Sequence, residues 1–199
     1  MMKKFNRLWF LVFLAINIYY LYIKISAGTM DRIIFAFLII PIYFVPHIIK
    51  KILHYDMSDT LRFIYYSFIF VAFIMGTVFG FYGKVECWDI IAHFMSGILT
   101  GVLGLIILKE NNLIKKDNIL FQILFIFAIS MLVAVGWEFF EFFADMITHD
   151  DAQKVLETGV SDTMWDMFNA LIGTIIVTIT HLVLYKKSTN KEKLYAKVF

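Results

Sequence analysis

Three short runs of this sequence set acidic side chains, and one histidine, at the ends of long apolar stretches. Asp89 and His93 open one stretch, Glu138, Glu141 and Asp145 close the next, and Asp162, Asp166 and Asn169 open the one after it. Ionisable groups are costly at membrane depth, so several on adjacent spans mark a functional site by default. Crowded carboxylates withdrawn from water either take up protons or bind a cation. An oxygen-rich set with one imidazole suits Mg²⁺, Mn²⁺ or Ca²⁺, and a smaller set of histidine plus carboxylates suits Zn²⁺ or Fe²⁺. The same groups can serve as general acid and base, with a metal-bound water as nucleophile.

Composition dictates the elements that must carry these residues. The 199 residues are 61% hydrophobic and 18% aromatic, with a mean hydropathy of +0.78, where a soluble domain is about 45–50% apolar. This is the composition of an integral membrane protein. At about 20 residues per span the length predicts an all-α, polytopic transmembrane bundle of about six helices, forming one membrane domain over 1–199 with a basic tail over 186–199. The apolar stretches run over 8–23, 33–49, 64–82, 88–108, 119–143 and 164–185. Pro41 and Pro46 interrupt the second, which predicts a bent or re-entrant segment there. Lys3, Lys4 and Arg7 before an apolar run imitate a signal peptide, but the run is long and no small-x-small cleavage site follows, so it reads as a retained first span. One cysteine, Cys87, excludes an internal disulfide and a cysteine-rich metal site.

The basic residues orient the bundle. Fourteen lie before the first span, between the second and third, between the fourth and fifth, or after the sixth, against four (Lys24, Arg32, Lys84 and Lys154) in the other connections. The positive-inside rule then predicts both termini in the cytoplasm and the acidic groups on the extracytoplasmic side of a cytoplasmic membrane.

Spacings of three and four put each acidic set on one helix face. With a rise of about 1.5 Å per residue, Asn169 lies roughly 10 Å deeper than Asp162, which makes the site a polar funnel in one leaflet. Small residues share these faces: Ser96, Gly97, Thr100, Gly101 and Gly104 below His93, and Gly173 below Asn169. Such residues let helix backbones approach closely in lipid. The apolar parts of the last three spans hold no Lys or Arg, so the carboxylates have no basic partner unless Lys84 or Lys154 folds in. Plainer roles compete. Asp145, Asp150, Asp151 and Glu157 read as solvated loop charges, and Asp162 and Asp89 as helix-start residues. Glu138, Asp166, Asn169 and His93 could be an interhelical hydrogen-bond network, and Trp88, Trp137 and Trp165 an interfacial belt. His149 is a further candidate ligand, and His181 is expected to make a helix contact.

The elements Trp-Asp-x-x-x-His-Phe-x-x-Gly at Trp88 to Gly97, Trp-Glu-x-x-Glu at Trp137 to Glu141, and Asp-Thr-x-Trp-Asp-Met from Asp162 to Met167, followed by Ala170-Leu-Ile-Gly173, resemble the bacterial YjdF-like inner-membrane proteins. The resemblance covers the carboxy-terminal half, and the chain departs from the family pattern at the turn Glu157 to Ser161. It is more distantly similar to VanZ-like proteins, which are linked to glycopeptide tolerance. Neither family implies an established reaction.

Missing parts narrow the function. There is no Gly-rich nucleotide loop, Gly-x-Ser-x-Gly elbow or His-Glu-x-x-His helix. Arginine is absent from the last three spans, against a guanidinium-based phosphatase, and no basic aromatic surface points to nucleic acid. The leading expectation is a membrane protein whose acidic site binds a divalent cation (Mg, Mn, Ca or Zn) and acts on or recognises a lipid or lipid-linked headgroup in the surrounding bilayer. His93, Glu138 and Asp166 would be ligands or acid–base groups, Asp89 would orient His93, and Glu141, Asp162 and Asn169 would complete the set. A proton- or cation-coupled transporter is the rival, although the deeper half of the path offers only Thr178, Thr180, His181, Gln122 and Ser130 and reads as closed. A third reading is a structural protein whose acids lock the bundle.

Overall fold

The computed structural model describes residues 2–29, 33–149 and 151–187. Among these there is no strand. The helices are α1 (Met2–Ser26), α2 (Ile33–Tyr43), α3 (Val45–Ile52), α4 (Asp59–Ile69), α5 (Trp88–Glu110), α6 (Ile119–Thr148), α7 (Val155–Thr158) and α8 (Ser161–Lys187), and α4 runs on into a π-helical segment, Phe70–Val78. Among the described residues five helices are long and apolar enough to cross a membrane: Lys3–Ser26, Leu61–Val78, Trp88–Glu110, Ile119–Ile147 and Ser161–Lys186. The chain is a polytopic helical bundle. The expected basic tail, from residue 188 on, lies outside the described residues, as do Arg32 and Asp150.

The second apolar stretch is where six expected spans become five continuous ones. It breaks at Phe44 into α2 and α3, with Pro46 in the first turn of α3. Proline has no N–H, so Pro46 leaves the Ile42 carbonyl without its helical donor. The Tyr65 hydroxyl, on α4, donates to that carbonyl at 2.5 Å. The bend is thereby satisfied from a neighbouring helix, as apolar surroundings require. Asn17 of α1 likewise donates to the Ala36 carbonyl at 2.8 Å. Around these links Phe13, Ile39, Tyr43, Tyr66 and Ile69 form a buried cluster, with Phe13 stacked on Phe70 at 4.8 Å.

The other half of the bundle is α5, α6 and α8. A Cβ on Gly97 would run into the Ala170 carbonyl and one on Gly173 into the Phe94 carbonyl, so α5 and α8 cross backbone to backbone there. Deeper along α5, Gly101 meets Val177 and Gly104 meets Ile126, and Leu105, Leu108, Ile126 and Val177 fill the space beyond. The expected small-residue seam is therefore the axis on which these helices pack. Facing away from it, Leu132, Phe139, Phe142, Phe143, Met146 and Ile147 of α6 are exposed, as suits a surface turned to acyl chains.

Candidate functional site

The close crossing at Gly97 and Gly173 brings the first turns of α5 and α8 together, and with them their polar faces. His93, one turn into α5, points its Nε2 between two carboxylates, 3.4 Å from Asp89 Oδ1 and 3.6 Å from Asp166 Oδ2. His93 and Asp166 are buried. One ligand atom from each of Asp89, His93 and Asp166 can be chosen so that all lie within 4.8 Å of one another. Two ligands held about 2.1 Å from one zinc ion in tetrahedral geometry stand about 3.4 Å apart, so the spacing fits a small divalent cation. The same position suits a proton shared between the imidazole and the aspartates.

Glu138 approaches from α6, near enough to feel the charges of His93 and Asp89. It is 5% exposed. Its Oε2 lies 3.4 Å from the Gln153 amide nitrogen, which also donates to the Glu138 carbonyl at 3.1 Å and reaches Thr163 Oγ1 at 3.4 Å. Its Oε1 is buried with no hydrogen-bond partner among the described residues. A carboxylate oxygen stranded in this way carries a desolvation cost that a cation or a proton would relieve.

The connection between α6 and α8 supplies what the helices lack. Asp145 does not behave as a solvated loop charge: its carboxylate accepts from the backbone N–H groups of Ala152 at 2.8 Å and Gln153 at 3.1 Å. Asp151 likewise accepts from Leu156 N at 3.3 Å. This pinned turn swings Lys154, at φ 52, over the mouth of the site. Its ammonium donates to Asp89 Oδ2 and, at 3.2 Å, to Asp162 Oδ1. Asp162 is therefore a first-turn residue of α8 paired with a lysine and not the helix cap. Lys84 stays away, bonded to the Phe79 carbonyl at 2.7 Å.

Burial acts to lower the pKa of Lys154, but the hydrogen bond and charge of Asp89, with Asp162, overcome it and hold the ammonium above its ordinary range. A raised lysine pKa adds stability that is fully present below the unfolded value, about 10.4, and is lost as pH rises through the folded one. The melting temperature of Lys154→Gln should therefore fall below that of the parent by a constant amount from pH 6 to 9, with the gap closing only in strong alkali. A gap that closes near neutrality would refute the ion pair. An Asp89→Asn/Lys154→Gln double-mutant cycle should show coupling of about 1 kcal/mol.

Other expected members sit differently. Glu141 turns to the side, its Oε1 accepting from Trp137 Nε1 at 3.0 Å. Asn169 is buried one turn beyond Asp166 and outside the three-ligand group. Of the three tryptophans, Trp165 is exposed as a belt residue would be. Trp88 instead donates to the Val71 carbonyl at 3.3 Å, and Trp137 packs edge-on against Phe73. His149 is exposed at the end of α6, away from the group, and His181 bonds Gln122 Oε1 at 2.9 Å in the buried interior. Sequence reasoning passed over Gln153, a neutral residue in a charged loop, and Thr174. The Thr174 hydroxyl joins Ser130 at 2.6 Å, and Ser130 joins Thr100 at 2.7 Å, linking all three helices beneath the acids.

A family model described as "Predicted membrane protein (DUF2238)" matches residues 5–187 of the chain. The chain is also 29% identical over 150 residues, 74% of its own length and 73% of the relative's, to a protein of Thermotoga maritima named "Uncharacterized protein". No solved structure matches.

Proposed function

We propose a function for a chain that belongs to the DUF2238 family of predicted membrane proteins: its acidic end binds a divalent cation and presents it to the headgroup of a lipid or lipid-linked molecule. The YjdF-like resemblance agrees with that family. By the distribution of basic residues this end faces outward from a cytoplasmic membrane. Asp89, His93 and Asp166 are the ligands, with Glu138 completing the set or acting as the base beside it. Asp162 and Lys154 close the rim, and Glu141 and Asn169 support it from the side and from below. When bound, the cation supplies a Lewis acid or an activated water, while His93 and Glu138 hold or move a proton.

The observation that carries this reading is the metal-binding spacing of ligand atoms on Asp89, His93 and Asp166, with the buried, unpartnered Oε1 of Glu138, outside that group but within reach of its charges, as support. A lipid-like substrate is favoured by the exposed apolar face of the same α8 turns, Met164, Trp165 and Phe168, which offers acyl chains a surface at this end of the helix. Elemental mass spectrometry of protein purified without chelators tests the site. About one divalent ion per chain, released as pH falls because ligands must be deprotonated to bind, is the expected result. Protein that stays metal-free after metal is added back would sink it.

A specific observation favours a second reading, cation- or proton-coupled transport. Of the deeper polar residues expected from the sequence, Ser130, Thr178, His181 and Gln122 are buried and Thr180 is exposed, and a buried Thr174 joins them. Thr174→Val separates the two. If the hydroxyl is structural, the substitution costs about 0.6–1.7 kcal/mol and leaves metal binding intact. If it conducts, metal-driven proton flux into proteoliposomes is abolished at unchanged affinity.

A further inference from the structure

The end of the bundle opposite the acids holds a second polar cluster, around a cavity. α4 and its π-helical extension lead towards the start of α5, so the first turn of α4 lies at the far end. Asn6 of α1 is tied to it, donating to the Asp59 carbonyl at 2.8 Å. Between the starts of α1 and α4 and the helix α3 is a cavity of about 380 Å³, lined at its mouth by Lys3, Arg7, His47 and Arg62. This is within the range of ligand sites, about 300–1,000 Å³.

Two features indicate that the cavity takes an anion. First, the charges do not cancel. Lys3, Arg7 and Arg62 line the cavity against one lining carboxylate, Asp59, and outside it Asp56 pairs with both Arg62 and Lys50. Arg7 has no ion pair among the described residues. Second, polar atoms are stranded there: Arg62 Nε and Asn6 Oδ1 are buried with no hydrogen-bond partner among the described residues. The buried N–H of an arginine can donate to a phosphate oxygen, and the amide oxygen can accept from a headgroup hydroxyl.

The walls fix what kind of anion it is. Phe10, Leu11, Phe44 and Tyr66 form the apolar side of the cavity, and Leu11 and Phe44 are themselves exposed towards lipid. A free phosphate leaves such walls bare, whereas a phospholipid covers them with its first methylenes. We infer that this pocket holds the headgroup of an anionic phospholipid of the leaflet at the basic end, with Arg7, Lys3 and Arg62 around the phosphate. Basic pockets between transmembrane helices recognise lipids in this way.

Titration of delipidated full-length protein with phosphatidylglycerol, read by native mass spectrometry against phosphatidylcholine of identical chains, tests the assignment. Phosphatidylglycerol should bind preferentially, and Arg7→Gln and Lys3→Gln should each weaken it about fivefold, the equivalent of about 1 kcal/mol per basic residue near a charged surface. Both side chains are exposed, so the variants fold. Lys84→Gln, away from the pocket, should leave binding unchanged. Equal binding of the two lipids, or binding insensitive to both substitutions, would overturn the inference. So would displacement of phosphatidylglycerol by millimolar inorganic phosphate, which would make this a site for the free ion.

Discussion

Asp166→Asn abolishes divalent-cation binding while leaving the bundle folded; this is the largest effect expected at the acidic site. Asp166 is one of the three residues spaced to hold a metal ion, and loss of a residue that merely supports a ligand already costs about 10–100-fold in metal affinity. Removing a ligand should cost more than about 100-fold, read by competition with a chromophoric chelator. Stability supplies an independent sign. In chelator, Asp166→Asn relieves crowding among buried carboxylates, so its melting temperature should equal or exceed that of the parent. With metal at about 100 times its Kd, the parent gains about 2.7 kcal/mol and the variant gains nothing. A purely structural network predicts the reverse, with the amide destabilising the protein in chelator and metal irrelevant to both. Glu138→Gln, at a residue outside the three-residue group, should weaken binding by about 10–100-fold, as loss of a supporting residue does. Glu141→Gln, whose partner is Trp137, should lose tenfold at most.

The second large effect is mechanical. At Gly97 an added Cβ meets backbone, the Ala170 carbonyl, which cannot swing aside as a side chain can. Gly97→Val should therefore destabilise by at least about 3 kcal/mol, the upper range for overpacking a rigid interior. It should also abolish metal binding, because the crossing that fails is the one that seats Asp166 against His93. Gly136→Ala is the control: nothing lies within 4 Å of its Cβ position, and the gain in helix propensity, up to about 1 kcal/mol, should leave stability equal or higher. Thermal unfolding in detergent would read both. Equal tolerance at the two positions would mean that α5 and α8 are not in backbone contact.

The acids, the small residues and the helices that carry them were legible in the sequence because each signal is periodic. Asp89 and His93 four apart, and Gly97 and Gly101 four apart, declare shared faces before any fold is known. What was hidden depends on loop conformation and on partners distant in sequence. Lys154 reaches Asp89 because a non-glycine residue adopts a positive φ in a turn pinned by Asp145, and no periodicity records that. The sequence offered it beside Lys84 as a lysine that could fold in, and the fold selects Lys154 as the counter-ion while Lys84 bonds the Phe79 carbonyl. Gln153 gave no sign beyond being polar. The break at Phe44 was foreshadowed by Pro41 and Pro46, but its repair by Tyr65 was not, since a tyrosine in an apolar run reads as one more aromatic. Thr174 was missed for a related reason: a threonine in a hydrophobic helix looks incidental until the fold sets it against Ser130, and Ser130 against Thr100.

The Asp89–Lys154 pair also bears on the order of the chain. The two residues are 65 apart in sequence. Both lie on segments that precede α8, so their pair needs no residue of that helix. α8, last of the described helices in the chain, brings Asp162 to the same ammonium and Asp166 to His93. One lysine thus ties the first acid of the site to the last helix.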